Sequence, residues 1–257
     1  MMKKVLGTVT VLALSVSLLA GCGSTAASPV SSAASTAAES TTSSVVSETT
    51  SAAADENEAA AAQLLNDLTG SYQELWPVIL ADEYKQTWLD DCTALVGEEN
   101  AEAAFEKLSS MVTSDVYGED AVEAYANGGG AYFCGFTNSL ATLTFDGETS
   151  TISGTDKDGN VLFSHTYHYI GMEPVHELYE FESDDADSGE FTYFFLAPDI
   201  SAETYHIEFR YGSDAEALSQ YDAGEYAYWV ASGISTDCDQ TMIDNCIELF
   251  CTENLAG

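Results

Sequence analysis

Positive charge is scarce in this chain. Its 257 residues include six Lys and Arg against 43 Asp and Glu, a formal net charge of −37. A nucleic-acid partner is excluded on that ground, because binding would need basic side chains to displace phosphate counterions. Close contact with anionic lipid headgroups is disfavoured for the same reason. Motifs for catalysis are also missing. No Ser stands in a Gly-x-Ser-x-Gly elbow, and Gly128-Gly129-Gly130 lacks the Lys and Ser/Thr of a phosphate-binding loop. No CxxC or Cys/His zinc spacing occurs. The expected class is therefore a binding protein and not an enzyme.

The chain opens with Lys3 and Lys4, then an apolar run from Val5 to Ala20, then Gly21 and Cys22. The run is short of the roughly 20 residues that a spanning helix needs. Its order is that of an export signal over residues 1–21. A Cys directly after the small residues is expected to take a diacylglycerol, so Cys22 is the predicted lipidation site. Membrane contact is expected through that anchor alone, at the extracytoplasmic face of the cell membrane. Acyl chains contribute about 0.8 kcal/mol per buried methylene, enough for a lasting tether when two or more are present.

Residues 22–58 after the signal are nearly all Ser, Thr, Ala, Val and Glu. With so little to bury, they are expected to form a disordered stalk. The remainder, 59–257, is rich in aromatic residues and long enough for one domain with its own core.

Within that domain, Leu64, Leu65, Leu68, Tyr72, Leu75, Trp76, Ile79 and Leu80 fall at helical spacing, interrupted by Gly70 and Pro77. Tyr84, Trp88, Cys92 and Val96 mark a second helix, and Ala104 to Val112 a third. Alternating patterns and turn signals then take over. Asp146-Gly147 and Asp156 to Asn160 supply hairpin turns, with strands expected near 161–170, 175–183, 190–197 and 203–211. Ser213 is expected to cap a short helix. Ser235 or Thr236 is expected to cap a last one, whose apolar face holds Met242, Ile243, Cys246, Leu249 and Phe250. The predicted fold is α+β: a small antiparallel barrel with N-terminal helices and a C-terminal helix.

Five cysteines follow Cys22: Cys92, Cys134, Cys238, Cys246 and Cys251. Outside the cell one disulfide between the first and last helical regions is expected. The competing reading is buried thiols acting as small hydrophobes.

Four His occur, at 165, 168, 176 and 206. His165 and His168 are an odd number apart, so a regular strand points them to opposite faces. His206 and Glu208 share a face, opposite Ile207, Phe209 and Tyr211. A His and a carboxylate on one strand face can hold a divalent ion with help from elsewhere. The acidic turns Asp156–Asn160 and Asp184–Glu190 lack the spacing and distal Glu of a calcium loop.

Four segments, Leu65 to Pro77, Tyr167 to Gly171, Tyr193 to Tyr211 and Gly212 to Leu218, resemble in their order the ZinT family of extracytoplasmic zinc- and cadmium-binding domains. The resemblance implies a calycin or lipocalin-like barrel. It also implies a zinc site on the hairpin between 193 and 211, with a metal transporter as a candidate partner. The family uses three His there. In this chain His206 matches one of them, Thr204 stands where a second is expected, and the third falls near Asp199. Loss of two imidazoles weakens the match to zinc. The expected ligand set is thus His206, with Glu208, Asp199 and Glu203 as oxygen partners. Zinc capture for acquisition or buffering is the first functional expectation. The alternative is a degenerate barrel that binds a small apolar ligand or a protein without metal.

Overall fold

The computed structural model describes residues 45–197 and 206–256, with side chains from residue 56 onward. The export signal, Cys22, the first part of the expected stalk, Asp199 and Glu203 lie outside the described residues.

Helix α1 (Val45–Asp67) begins inside the stretch expected to be stalk. Its Ala-rich sequence explains why, since Ala is the best helix former. Ala61, Leu64, Leu65 and Leu68 form its buried face and lie against the barrel. No helix among the described residues is long and apolar enough to cross a membrane.

The helix expected through 64–80 is interrupted by a strand. After Asp67 the chain turns at Gly70 (φ +146°), a conformation that side chains rarely adopt. It then runs as β1 (Gly70–Glu74) into the short helix α2 (Leu75–Ile79). Helical spacing misled here because one strand residue, Tyr72, points inward and falls by chance on the helical period. Helices α3 (Lys85–Val96) and α4 (Glu98–Met111) follow as expected, then α5 (Glu119–Ala126).

The strands are β2 (Thr142–Asp146), β3 (Thr151–Thr155), β4 (Val161–Met172) and β5 (Tyr179–Ser183), then β6 (Tyr193–Leu196), β7 (His206–Gly212) and β8 (Ala231–Ser235). Each pairs antiparallel with its neighbours in sequence, and β1 pairs with β8, so eight strands close a barrel. The fold is the expected α+β, a small closed antiparallel barrel with helices at both ends. At the β2–β3 turn, a Cβ on Gly147 would meet the Asn66 Cα at 2.4 Å. The end of α1 therefore crosses that turn at a distance only glycine permits.

Strand β8 was not expected. Its residues Ala231 to Ile234 are all buried, because the barrel covers one face and helices the other. A strand covered on both faces has no polar–apolar alternation to read. Helix α6 (Ala215–Leu218) is capped by Asp214 rather than Ser213, the Asp214 carboxylate accepting from the Ala217 N–H at 3.1 Å. Helix α7 (Gln240–Leu255) is capped by Asp239, which accepts from the Met242 N–H at 3.0 Å, and not by Ser235 or Thr236. Ser235 is in β8.

Aromatic rings fill the barrel. Phe163 stacks on Phe191 at 4.0 Å, and Phe194 stacks on Tyr211 at 5.4 Å between ring centres. The Tyr211 hydroxyl donates to the Thr137 carbonyl at 2.9 Å, which closes one end. A second layer packs α2, α3, α4 and α7 against the outside of β8 through Ile234.

Burial of so many neutral acids has a pH consequence. Burial raises the Tyr125 phenol and the Cys134 thiol, each to about 12, and pushes up the phenols of Tyr167, Tyr211 and Tyr221. A raised folded-state pKa means the native state holds its proton where the unfolded chain has lost it. Stability from these groups is complete below pH 9 and declines as pH rises from about 9 to 12. Denaturant midpoints measured across that range should fall steadily, and a flat profile would contradict this account of the core.

Candidate metal centre

Strand β7 positions the first two candidate ligands. Ile207 and Phe209 enter the barrel core, so His206 and Glu208 project to the outer face, as their spacing predicted. They pair across the sheet with Ile234 and Ser232 of β8. Both are half-buried.

Helix α7 forms the opposite wall. Cys246, Leu249, Phe250 and Glu253 recur at helical spacing and line a cavity together with His206 and Glu208. Leu75, Trp76 and Ile79 of α2 close the side. The cavity measures about 30 Å³. That is room for a water molecule or an ion, far below the several hundred Å³ of an organic-ligand pocket.

The electrostatics of this cavity are one-sided. Burial first, then the charge of Glu208, pushes the Cys246 thiol up to about 12, and Glu253 adds to the effect. Cys134, behind β8, is raised by burial and by Glu208 as well. Two carboxylates thus act on one sulfur in a partly desolvated place, where a cation would be favoured. The donors present are one imidazole, two carboxylates and one thiol. Such a set suits zinc among the divalent ions, provided that the thiol releases its proton on binding.

Among the described residues, no group of three His, Cys, Asp or Glu side chains is drawn together as a metal site. The cavity gathers its donors around one space without closing on a point. Asp199 and Glu203 belong to the connection from β6 to β7, outside the described residues.

Sequence reasoning paired His206 with Glu208 and missed the contribution of α7. Cys246 was placed on the apolar face of the last helix, and Glu253 was passed over. The spacing of seven between them puts both on one face, a signal available in the sequence.

The other His are engaged elsewhere. His165 Nδ1 lies 2.8 Å from an Asp185 carboxylate oxygen, and His168 Nδ1 lies 2.8 Å from one of Asp184. Adjacent carboxylates serve them because the two His point to opposite faces of β4. The Asp156 carboxylate is occupied by its own turn. It accepts first from the Asn160 side-chain amide, then from the backbone N–H groups of Asn160 and Asp158, each at 2.9 Å, and these bonds hold it below the usual carboxylate range.

No family model matches this chain, and no curated protein matches it. Among solved structures, the Zn(II)-bound ZinT-like domain of Streptococcus pneumoniae AdcA is similar, at 15% identity and a TM-score of 0.45. That match covers 72% of this chain and 89% of the other. The Zn(II)-bound AdcA of Streptococcus pneumoniae is similar at 14% identity and a TM-score of 0.43. It covers 73% of this chain and 35% of that one.

Proposed function

We propose that this protein is a divalent-metal-binding barrel, with zinc as its cargo, acting in metal acquisition or buffering on the outer side of a cell membrane. The observation that carries the reading is the cavity between β7 and α7, where His206, Glu208, Cys246 and Glu253 line one ion-sized space. In this reading His206 supplies the neutral nitrogen, while Glu208 and Glu253 supply oxygen and balance the charge. Asp199 and Glu203 are candidate further ligands from the β6–β7 connection. The lipid on Cys22 and the stalk would hold the domain outside the cell, and a metal transporter would receive the ion. The alternative of an apolar ligand inside the barrel is weakened by the stacked rings that occupy the interior.

Calorimetric titration of the metal-free protein with zinc tests the site. Even outer partners of metal ligands cost about 10–100-fold in affinity when lost, so removing a direct ligand should cost no less. His206→Ala should therefore weaken zinc by about 100-fold, and Glu253→Gln should also weaken it. Equal affinity in wild type and His206→Ala would remove the site.

A further inference from the structure

Cys92 lies on α3 and Cys251 on α7, and these helices pack side by side in the outer layer. Both residues are fully buried, with their sulfur atoms 3.9 Å apart. A disulfide needs about 2.05 Å. Rotation of two side chains and a small approach of two helices cover the difference. The sequence expectation was one disulfide between the first and last helical regions, with the partners left open. The structure turns Cys246 toward Glu208, and all five cysteines in the domain carry free thiols.

We propose that Cys92 and Cys251 join in a disulfide when the chain folds with a disulfide oxidant present. One cysteine thiolate attacks the disulfide of a thiol–disulfide oxidoreductase or of a small-molecule disulfide, forming a mixed disulfide. The second cysteine then displaces it. The protein loses two electrons and two protons, and the oxidant leaves as two thiols. An exported chain meets such oxidants, which links the pair to the signal at 1–21 and not to the metal reading. Because both sulfurs are fully covered in the folded protein, the bond forms during folding, before α7 seats on α3.

The bridge ties together residues far apart in the sequence, the arrangement that restricts an unfolded chain most. It also fixes α7, the helix that carries Cys246 and Glu253, against the rest of the outer layer. A redox-formed bond would therefore hold one wall of the cavity in place.

The test is to unfold the reduced full chain and refold it in a glutathione redox buffer. Free thiols are then blocked, and the linked peptides are mapped by mass spectrometry. The expected result is one linkage, between the peptides of Cys92 and Cys251. Reduction should then lower the melting temperature by about 10 °C. The blocking group on both residues, or Cys92 joined to a different cysteine, would overturn the proposal. The mapping needs no variant, so it stands even where a Cys92→Ala chain fails to fold.

Discussion

Arg210→Met should destabilise the protein by about 3–5 kcal/mol, because three carbonyls would lose their donor and each buried unsatisfied group costs about 1–3 kcal/mol. Arg210 is fully buried on the outer side of β7. One guanidinium nitrogen donates to the carbonyls of Leu218 and Gln220. The other donates to Gln220 at 3.2 Å and to Tyr226 at 2.5 Å. Its carbon stands 4.2 Å from the centre of the Tyr221 ring. The segment from Leu218 to Tyr226 is thus wound about one cation, and its carbonyls point inward because that cation is there. Methionine would fill much of the space but leave those carbonyls without donors. Lysine would fail as well, because a single ammonium lacks the planar fork that reaches three carbonyls. Burial lowers the Arg210 pKa, yet arginine stays charged in proteins, so the cost is of geometry and not of titration. Chemical denaturation followed by circular dichroism measures the effect. A loss below about 1 kcal/mol would mean the segment is held by its apolar contacts alone.

Trp88→Ala should cost about 3–5 kcal/mol, the usual range for emptying a large core site. Trp88 is fully buried at the meeting of α3, α4 and α7. Its ring lies 5.7 Å from that of Phe105 and 5.9 Å from that of Phe250. Its indole N–H donates to the Ile79 carbonyl at 2.7 Å, tying α3 to α2. Alanine would leave a void among helices that also build the cavity beside β7, since Ile79 and Phe250 line it. Trp88→Phe should keep most of the packing and lose chiefly the hydrogen bond, for about 1–3 kcal/mol. If the two variants unfold at the same denaturant concentration, the hydrogen bond and not the packing dominates.

Much of the fold was legible because most strands alternate and most helices carry one apolar face. Strands β2, β4, β6 and β7 could be read from residues such as Phe145, Phe163, Tyr167 and Phe209, which face a filled interior. Two strands could not. In β1 the lone inward Tyr72 imitates a helical period, and in β8 small residues are covered on both sides. Those two are the pair that closes the barrel, so closure itself was not visible in the local pattern.

The site was legible to the extent that it lies on one strand. The period of two was enough to place His206 and Glu208 on one face. Glu253 and Cys246 come from a helix more than thirty residues away, and only the packing of α7 on the barrel brings them in. Arg210 shows the opposite failure. It shares the face of His206 and Glu208, where a charged residue suggests solvent, yet the chain after β7 folds back and covers it.

In the proposed function, His206 and Glu208 bind a metal together with side chains of α7. Anomalous diffraction at the zinc edge, from crystals of the zinc-loaded protein, tests it most directly. The predicted result is one strong peak between β7 and α7, about 2.0–2.2 Å from the His206 imidazole and from a carboxylate oxygen of Glu208 or Glu253. A peak held only elsewhere, or none at saturating zinc, would contradict the account.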